Sequence, residues 1–202
     1  GSQAENQIEI QVGEEDTAKA LEIVESANLR YGPEFEEPDQ TLSTIKNILV
    51  PVDYSSYSFN AAKYAVHVAE QKDARITFVH AYFNPVTSPV SYDNFYSYPS
   101  NLADAIREIE ETAKDNMKEF IAGIDQYMVA EGISGVRPKT RLIAGGAEDA
   151  VLSLAESGNF DIIIAGTRGK AASDSWLGSF TGNIIEKSKI PVLSIPGEAV
   201  YK

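Results

Sequence analysis

Along residues 44–202 the hydrophobic positions fall into two alternating kinds of block. Ile45–Val52, Arg75–Tyr82, Lys139–Ala144, Asp161–Ala165 and Pro191–Ile195 are short runs, mostly apolar, and they read as buried strands. The segments between them place apolar residues three and four apart. Ser58–Gln71 carries Ala61, Ala62, Ala65, Val66 and Ala69 on one stripe. Leu102–Gly132 carries Ile106, Ile109, Ala113, Met117, Phe120, Ile124 and Met128. Glu148–Ser157 and Gly178–Ser188 are shorter helices of the same kind. Strands apolar on both faces and alternating with helices predict a parallel sheet covered on both sides. Right-handed crossovers make that a doubly wound α/β domain of five strands. Such a sheet binds ligands beyond the carboxyl ends of its strands, where the winding reverses.

Residues 1–43 differ in character and form an acidic N-terminal extension. Ile8, Ile10 and Val12 alternate with polar residues as in a strand, and Ala20, Leu21, Ile23, Val24 and Ala27 recur at helical spacing. Gly32-Pro33 and Pro38 then break regularity. The extension reads either as a strand plus helix with an irregular linker or as a solvated arm. Gly1-Ser2 resembles a cloning remnant and is set aside.

Charge and composition narrow the function. The net charge is −13. The extension holds 11 Asp/Glu against 2 Lys/Arg, and the remainder holds 19 against 15. This balance disfavours nucleic acid and anionic membrane as partners, since both need surplus positive charge. No run approaches the ~18 apolar residues of a membrane span, and no basic-then-apolar segment marks a signal peptide. A cytoplasmic location is expected. With no cysteine there is no disulfide, thiolate ligand or thiol nucleophile. The two histidines, His67 and His80, lack zinc-ligand spacing.

Three strand ends carry the candidate chemistry. The first is Pro51-Val52-Asp53-Tyr54-Ser55, the second His80-Ala81-Tyr82, and the third Gly166-Thr167-Arg168-Gly169 followed by Gly178-Ser179-Phe180-Thr181 at a helix start. Glycines admit close backbone approach, a helix amino terminus presents unpaired N–H groups, and the Ser179 and Thr181 hydroxyls sit at that same end. Together they suit an anion, and Arg168 can add a charge-assisted contact. Gly178-Ser179 equally suits a plain helix cap. Asp53 suits either an acceptor for an adenine amino or ribose hydroxyl group or a cap for the next helix with Ser55. His80 reads as a packed, hydrogen-bonded residue. Phe83–Asn101 is a long loop; Tyr82, Tyr92, Phe95, Tyr96 and Tyr98 on or beside it read as a loop folded on its own rings or as a lid. Trp176 reads as packing the glycine loop down or touching a partner.

Ile48-Leu-Val-Pro-Val-Asp-Tyr-Ser55, Phe78-Val-His-Ala81, Gly166-Thr-Arg-Gly169 with Gly178-Ser179, and Ile190-Pro-Val-Leu-Ser-Ile195 together resemble the universal stress protein family over residues 44–196. The resemblance implies strand order 3-2-1-4-5, a homodimer paired through the last strand, and an adenine nucleotide, ATP or AMP with or without Mg²⁺, as ligand. It places the base at Pro51, Val52, Asp53, Ala81 and Ala165, and the ribose and phosphates at Gly166, Arg168, Gly169, Gly178, Ser179, Phe180 and Thr181. Binders in that family usually show Gly-x2-Gly-x9-Gly-Ser/Thr. Here only Lys170–Leu177 lie between Gly169 and Gly178, with Asp174 among them.

The resulting expectation is a regulatory nucleotide binder with little or no turnover, because no nucleophile–base pair stands out. Any hydrolysis would be slow and metal-assisted. The alternative is a dimeric interaction or signalling module of the same fold that binds no nucleotide; the shortened loop favours it. An adenylating ligase is disfavoured because no glycine follows Asp53 where such enzymes carry their phosphate loop.

Overall fold

The computed structural model describes residues 45–83, 102–169 and 177–197, and Lys19 beyond them. The expected strand and helix of residues 1–43, the aromatic cluster of residues 84–101, and Asp174 and Trp176 lie outside the described residues. Within them the chain runs β1 (Asn47–Pro51), α1 (Ser56–Lys72), β2 (Arg75–Tyr82), α2 (Leu102–Glu131), β3 (Lys139–Ala144), α3 (Ala147–Ser157), β4 (Ile162–Gly166), α4 (Ser179–Lys187) and β5 (Val192–Ile195).

The sheet is parallel throughout and ordered β3-β2-β1-β4-β5, as the resemblance implied. Each strand sends alternate residues to opposite faces. Ile48, Val50, Ile76, Phe78, Ile162 and Ile164 join the core under α1 and α2, with Ala61, Ala65, Phe120 and Ile124. Leu49, Val79, Ile163 and Ala165 join the core on the other face, with Val151, Ala155 and Ile184 from α3 and α4. Full burial of an Ile, Leu or Phe side chain contributes about 1.5–3 kcal/mol, so the central strands carry much of the stabilisation. Phe120 is a hub on the α2 side, with edge-on contacts to Tyr54, Phe59 and Phe78.

The element ends differ from the sequence expectation by one or two residues, for local reasons. The first helix begins at Ser56 rather than Ser58, because Ser55 caps it: its hydroxyl accepts from the Ser58 N–H at 3.2 Å. It ends where Asp73 turns left-handed, with φ 50°. β1 starts at Asn47, where Asp161 Oδ2 accepts from the backbone N–H groups of Lys46 and Asn47 at 2.8 and 2.7 Å. One carboxylate thereby aligns the entry of β1 with that of β4.

Candidate functional site

The site is assembled where β1, β2 and β4 end. β2 runs three residues beyond Val79, its last residue paired with β1, whose partner there is Pro51. Val52 N–H closes that end by donating to Val79 O at 2.8 Å. The edge of Ala81 facing β1 therefore has no strand partner and borders a cavity. On the other side of β1, Thr167 N–H donates to Ile195 O at 2.9 Å and Gly178 N–H donates to Thr167 O at 2.7 Å. The first ties the chain leaving β4 to the end of β5, and the second brings the start of α4 back beside the end of β4.

Tyr54 turns the chain out of β1 in the left-handed region, φ 63°. That turn lets Asp53 point back over its own helix start. Asp53 Oδ1 accepts from the Ser55 N–H at 3.0 Å and from the Ser55 hydroxyl at 2.6 Å. The capping role expected of Asp53 is thus present on one oxygen. The other oxygen faces Gly169: a Cβ built there would lie 2.7 Å from Asp53 Oδ2. Gly169 is glycine because the carboxylate occupies the space of a side chain. The carboxylate therefore serves the cap on one side and borders the cavity on the other.

His80 behaves as expected of a packed residue. Its Nδ1 lies 2.8 Å from Val52 O, an acceptor, so this nitrogen carries the proton. Its ring sits 4.3 Å from that of Tyr54, whose hydroxyl reaches Ala113 O at 3.4 Å. Burial pushes the Tyr54 phenol up to about 12. His80 borders the cavity, and Tyr54 packs behind it against Phe120 and Ala113 of α2.

The amino terminus of α4 supplies the opposite wall. Gly178 is its N-cap and makes no side-chain cap bond, so Ser179 is the first helical residue and not the cap. The first intrahelical bond is Gly182 N–H to Gly178 O at 3.0 Å. The N–H groups of Ser179, Phe180 and Thr181 precede it and are those a helix start leaves without an intrahelical acceptor. Thr181 differs from the sequence expectation. It is buried, and its hydroxyl donates to Gly166 O at 2.7 Å. That proton ties α4 to β4 and is not available to an anion.

Between these walls lies a cavity of about 400 Å³, inside the range of roughly 300–1,000 Å³ usual for small-molecule sites. All twelve residues singled out from the sequence line it. Ser58, Val79, His80, Ala147 and Val151 also line it, and they were not counted among the site residues. Ala147 and Val151 are four apart on α3, so they share a face. Their apolar spacing was visible, but nothing local to it says that this face turns toward the strand ends. The cavity is mostly apolar toward β2 and α3, and Arg168 is the Lys or Arg among its described lining residues. No group of three or more His, Asp or Glu with metal-binding geometry occurs among the described residues. Nor does any helix among them have the length and apolarity to cross a membrane.

The model of the universal stress protein family matches residues 44–196, the whole of this architecture. The chain belongs to the universal stress protein family. Similar proteins include universal stress protein MJ0531 of Methanocaldococcus jannaschii, 27% identical over 151 residues that cover 74% of this chain and 81% of the relative. Universal stress protein YxiE of Bacillus subtilis is 28% identical over 149 residues, covering 73% and 97%. Among solved structures, the universal stress protein UspA from Lactobacillus plantarum superposes with a TM-score of 0.58 at 23% identity, covering 75% of this chain and 97% of that one. The hypothetical protein MJ0577 superposes at 0.59 with 24% identity, covering 77% and 99%. These likenesses establish the shared fold of this universal stress protein domain.

Proposed function

We propose that this universal stress protein binds an adenine nucleotide, ATP or AMP, in the cavity at the strand ends, and acts as a stress-response regulator with little or no turnover. The observation that carries the reading is the meeting of two dissimilar halves in one cavity. An apolar slot beside the Ala81 backbone edge, with a carboxylate acceptor at Asp53, suits a flat base carrying an amino group. The start of α4, with Ser179 and Arg168, suits an anion. The glycine at position 169 fits as well, since a side chain there would close the gap between Asp53 and the phosphate end. Mg²⁺, where present, would arrive on the nucleotide's phosphates, and its chemistry would be charge neutralisation.

The same reading includes a homodimer through β5. Among the described residues that strand pairs with β4 on one side and is an edge of the sheet on the other, which leaves a row of backbone groups for a second copy.

Isothermal titration with ATP and with AMP tests the ligand. Saturable heat with an adenine nucleotide is expected. Absence of heat with both, together with no nucleotide in extracts of gently purified protein, would leave the non-binding interaction module as the reading.

A further inference from the structure

We infer that Tyr57, which stands outside the cavity, is a positioning residue: its ring holds the Arg168 guanidinium at the phosphate end of the site. The inference rests on the nucleotide reading above and names a residue that makes that reading work.

Three observations place the ring. The Arg168 guanidinium carbon lies over the Tyr57 ring, 6.0 Å from its centroid, at the edge of cation–π range. Among the described residues no carboxylate is paired with Arg168. Two glycines seat the residue, one against its backbone and one against its ring. A Cβ on Gly166 would lie 2.8 Å from the Tyr57 carbonyl carbon and 2.9 Å from its oxygen, so a glycine at the end of β4 is what lets the first turn of α1 come this close. A Cβ on Gly197 would collide with Tyr57 Cε1 and lie 2.7 Å from Cδ1, so the ring lies directly against the chain just past β5. One turn along α1, Asn60 Nδ2 donates to Gly197 O and fixes that chain in place.

A long Arg side chain loses rotamer freedom whenever it meets an anion, and part of that cost falls away if it is already held. Tyr57 supplies that restraint from α1, an element that otherwise serves the core and the Asp53 cap. The contact acts on the phosphate and leaves the base alone. Its signature is therefore a change in how much better AMP binds than adenosine, with adenosine affinity itself unchanged.

Titration of the full chain with AMP and adenosine tests this. In Tyr57→Leu the ratio of AMP to adenosine affinity is expected to narrow about two- to fivefold, the size of an exposed cation–π contact. Tyr57→Phe keeps the ring and is expected to keep the wild-type ratio. Gly197→Ala pushes the ring without removing it and is expected to narrow the ratio as Tyr57→Leu does. Arg168→Gln is expected to lose the larger share, about tenfold or more, and adding Tyr57→Leu to it changes nothing further. A ratio that stays the same or widens in Tyr57→Leu, or losses that add in the double variant, would overturn the assignment. Should wild-type protein bind neither compound, the nucleotide reading fails first and this assignment with it. Binding without the shift refutes Tyr57 alone.

Discussion

Asp53→Asn separates the two duties of one carboxylate. Oδ1 receives two donors, the Ser55 N–H at 3.0 Å and the Ser55 hydroxyl at 2.6 Å. The Ser55 oxygen meanwhile accepts from the Ser58 N–H. An asparagine must therefore keep its carbonyl oxygen at the Oδ1 position, which puts its NH₂ where Oδ2 faces Gly169 and the cavity. The helix cap survives on a neutral acceptor, so the stability cost is about 1 kcal/mol, a fall in Tm of roughly 2–4 °C. On the ligand side a carboxylate acceptor becomes a donor. A hydrogen bond to a charged group contributes about 1.5–3 kcal/mol, so AMP affinity is expected to fall roughly 10- to 150-fold. Calorimetric titration with AMP and with inosine monophosphate, beside urea unfolding of the same variant, reads both effects. If the carboxylate meets the adenine amino group, inosine monophosphate gains on AMP in the variant, because its exocyclic 6-keto oxygen accepts from the new NH₂. If it meets the ribose, both ligands weaken together. Undiminished AMP binding would refute the placement of Asp53 in the site. A stability loss above about 3 kcal/mol would refute the orientation argument.

Thr181→Val removes the buried hydroxyl that donates to Gly166 O; it is expected to destabilise the domain by about 1–2 kcal/mol in urea unfolding, and a variant of unchanged stability with weakened AMP binding would return Thr181 to a ligand role. Gly169→Ala sets a methyl 2.7 Å from Asp53 Oδ2; AMP titration should show weaker binding, while unfolding shifts little because the position borders the cavity. Burial raises the Tyr54 phenol to about 12, so the unfolded chain ionises first and stability is present below about pH 10 and lost as pH climbs toward 12. Tyr54→Phe should flatten that loss in denaturant titrations between those values, and an unchanged slope would count against the burial of the hydroxyl.

Much of the fold was written locally. Ile162–Ala165 is apolar on both faces because its alternate residues enter two different cores, and that pattern exists in the chain before any folding. The Ala stripe of α1 and the long apolar stripe of α2 likewise carry their own period. The glycines and Asp53 marked the strand ends because positive φ, close approach and capping are properties of single residues and their neighbours. For the same reason the element ends strayed by a residue or two, since Ser55 and Asp161 decide them through particular hydrogen bonds.

What the sequence could not hold is distance across the fold. Thr181 reads as a hydroxyl at a helix start; only folding brings it within 2.7 Å of Gly166 O and gives its proton to the backbone. His80 meets Val52 O, and Ala147 and Val151 turn toward the cavity, only once β2 lies beside β1 and α3 covers the far face. Tyr57 looks like any aromatic on a helix until β4 and the chain after β5 put Gly166, Arg168 and Gly197 around it. Periodicity records whether a side chain is buried, because burial depends on local spacing. Which group it meets depends on segments tens to more than a hundred residues away, and only the tertiary structure decides that.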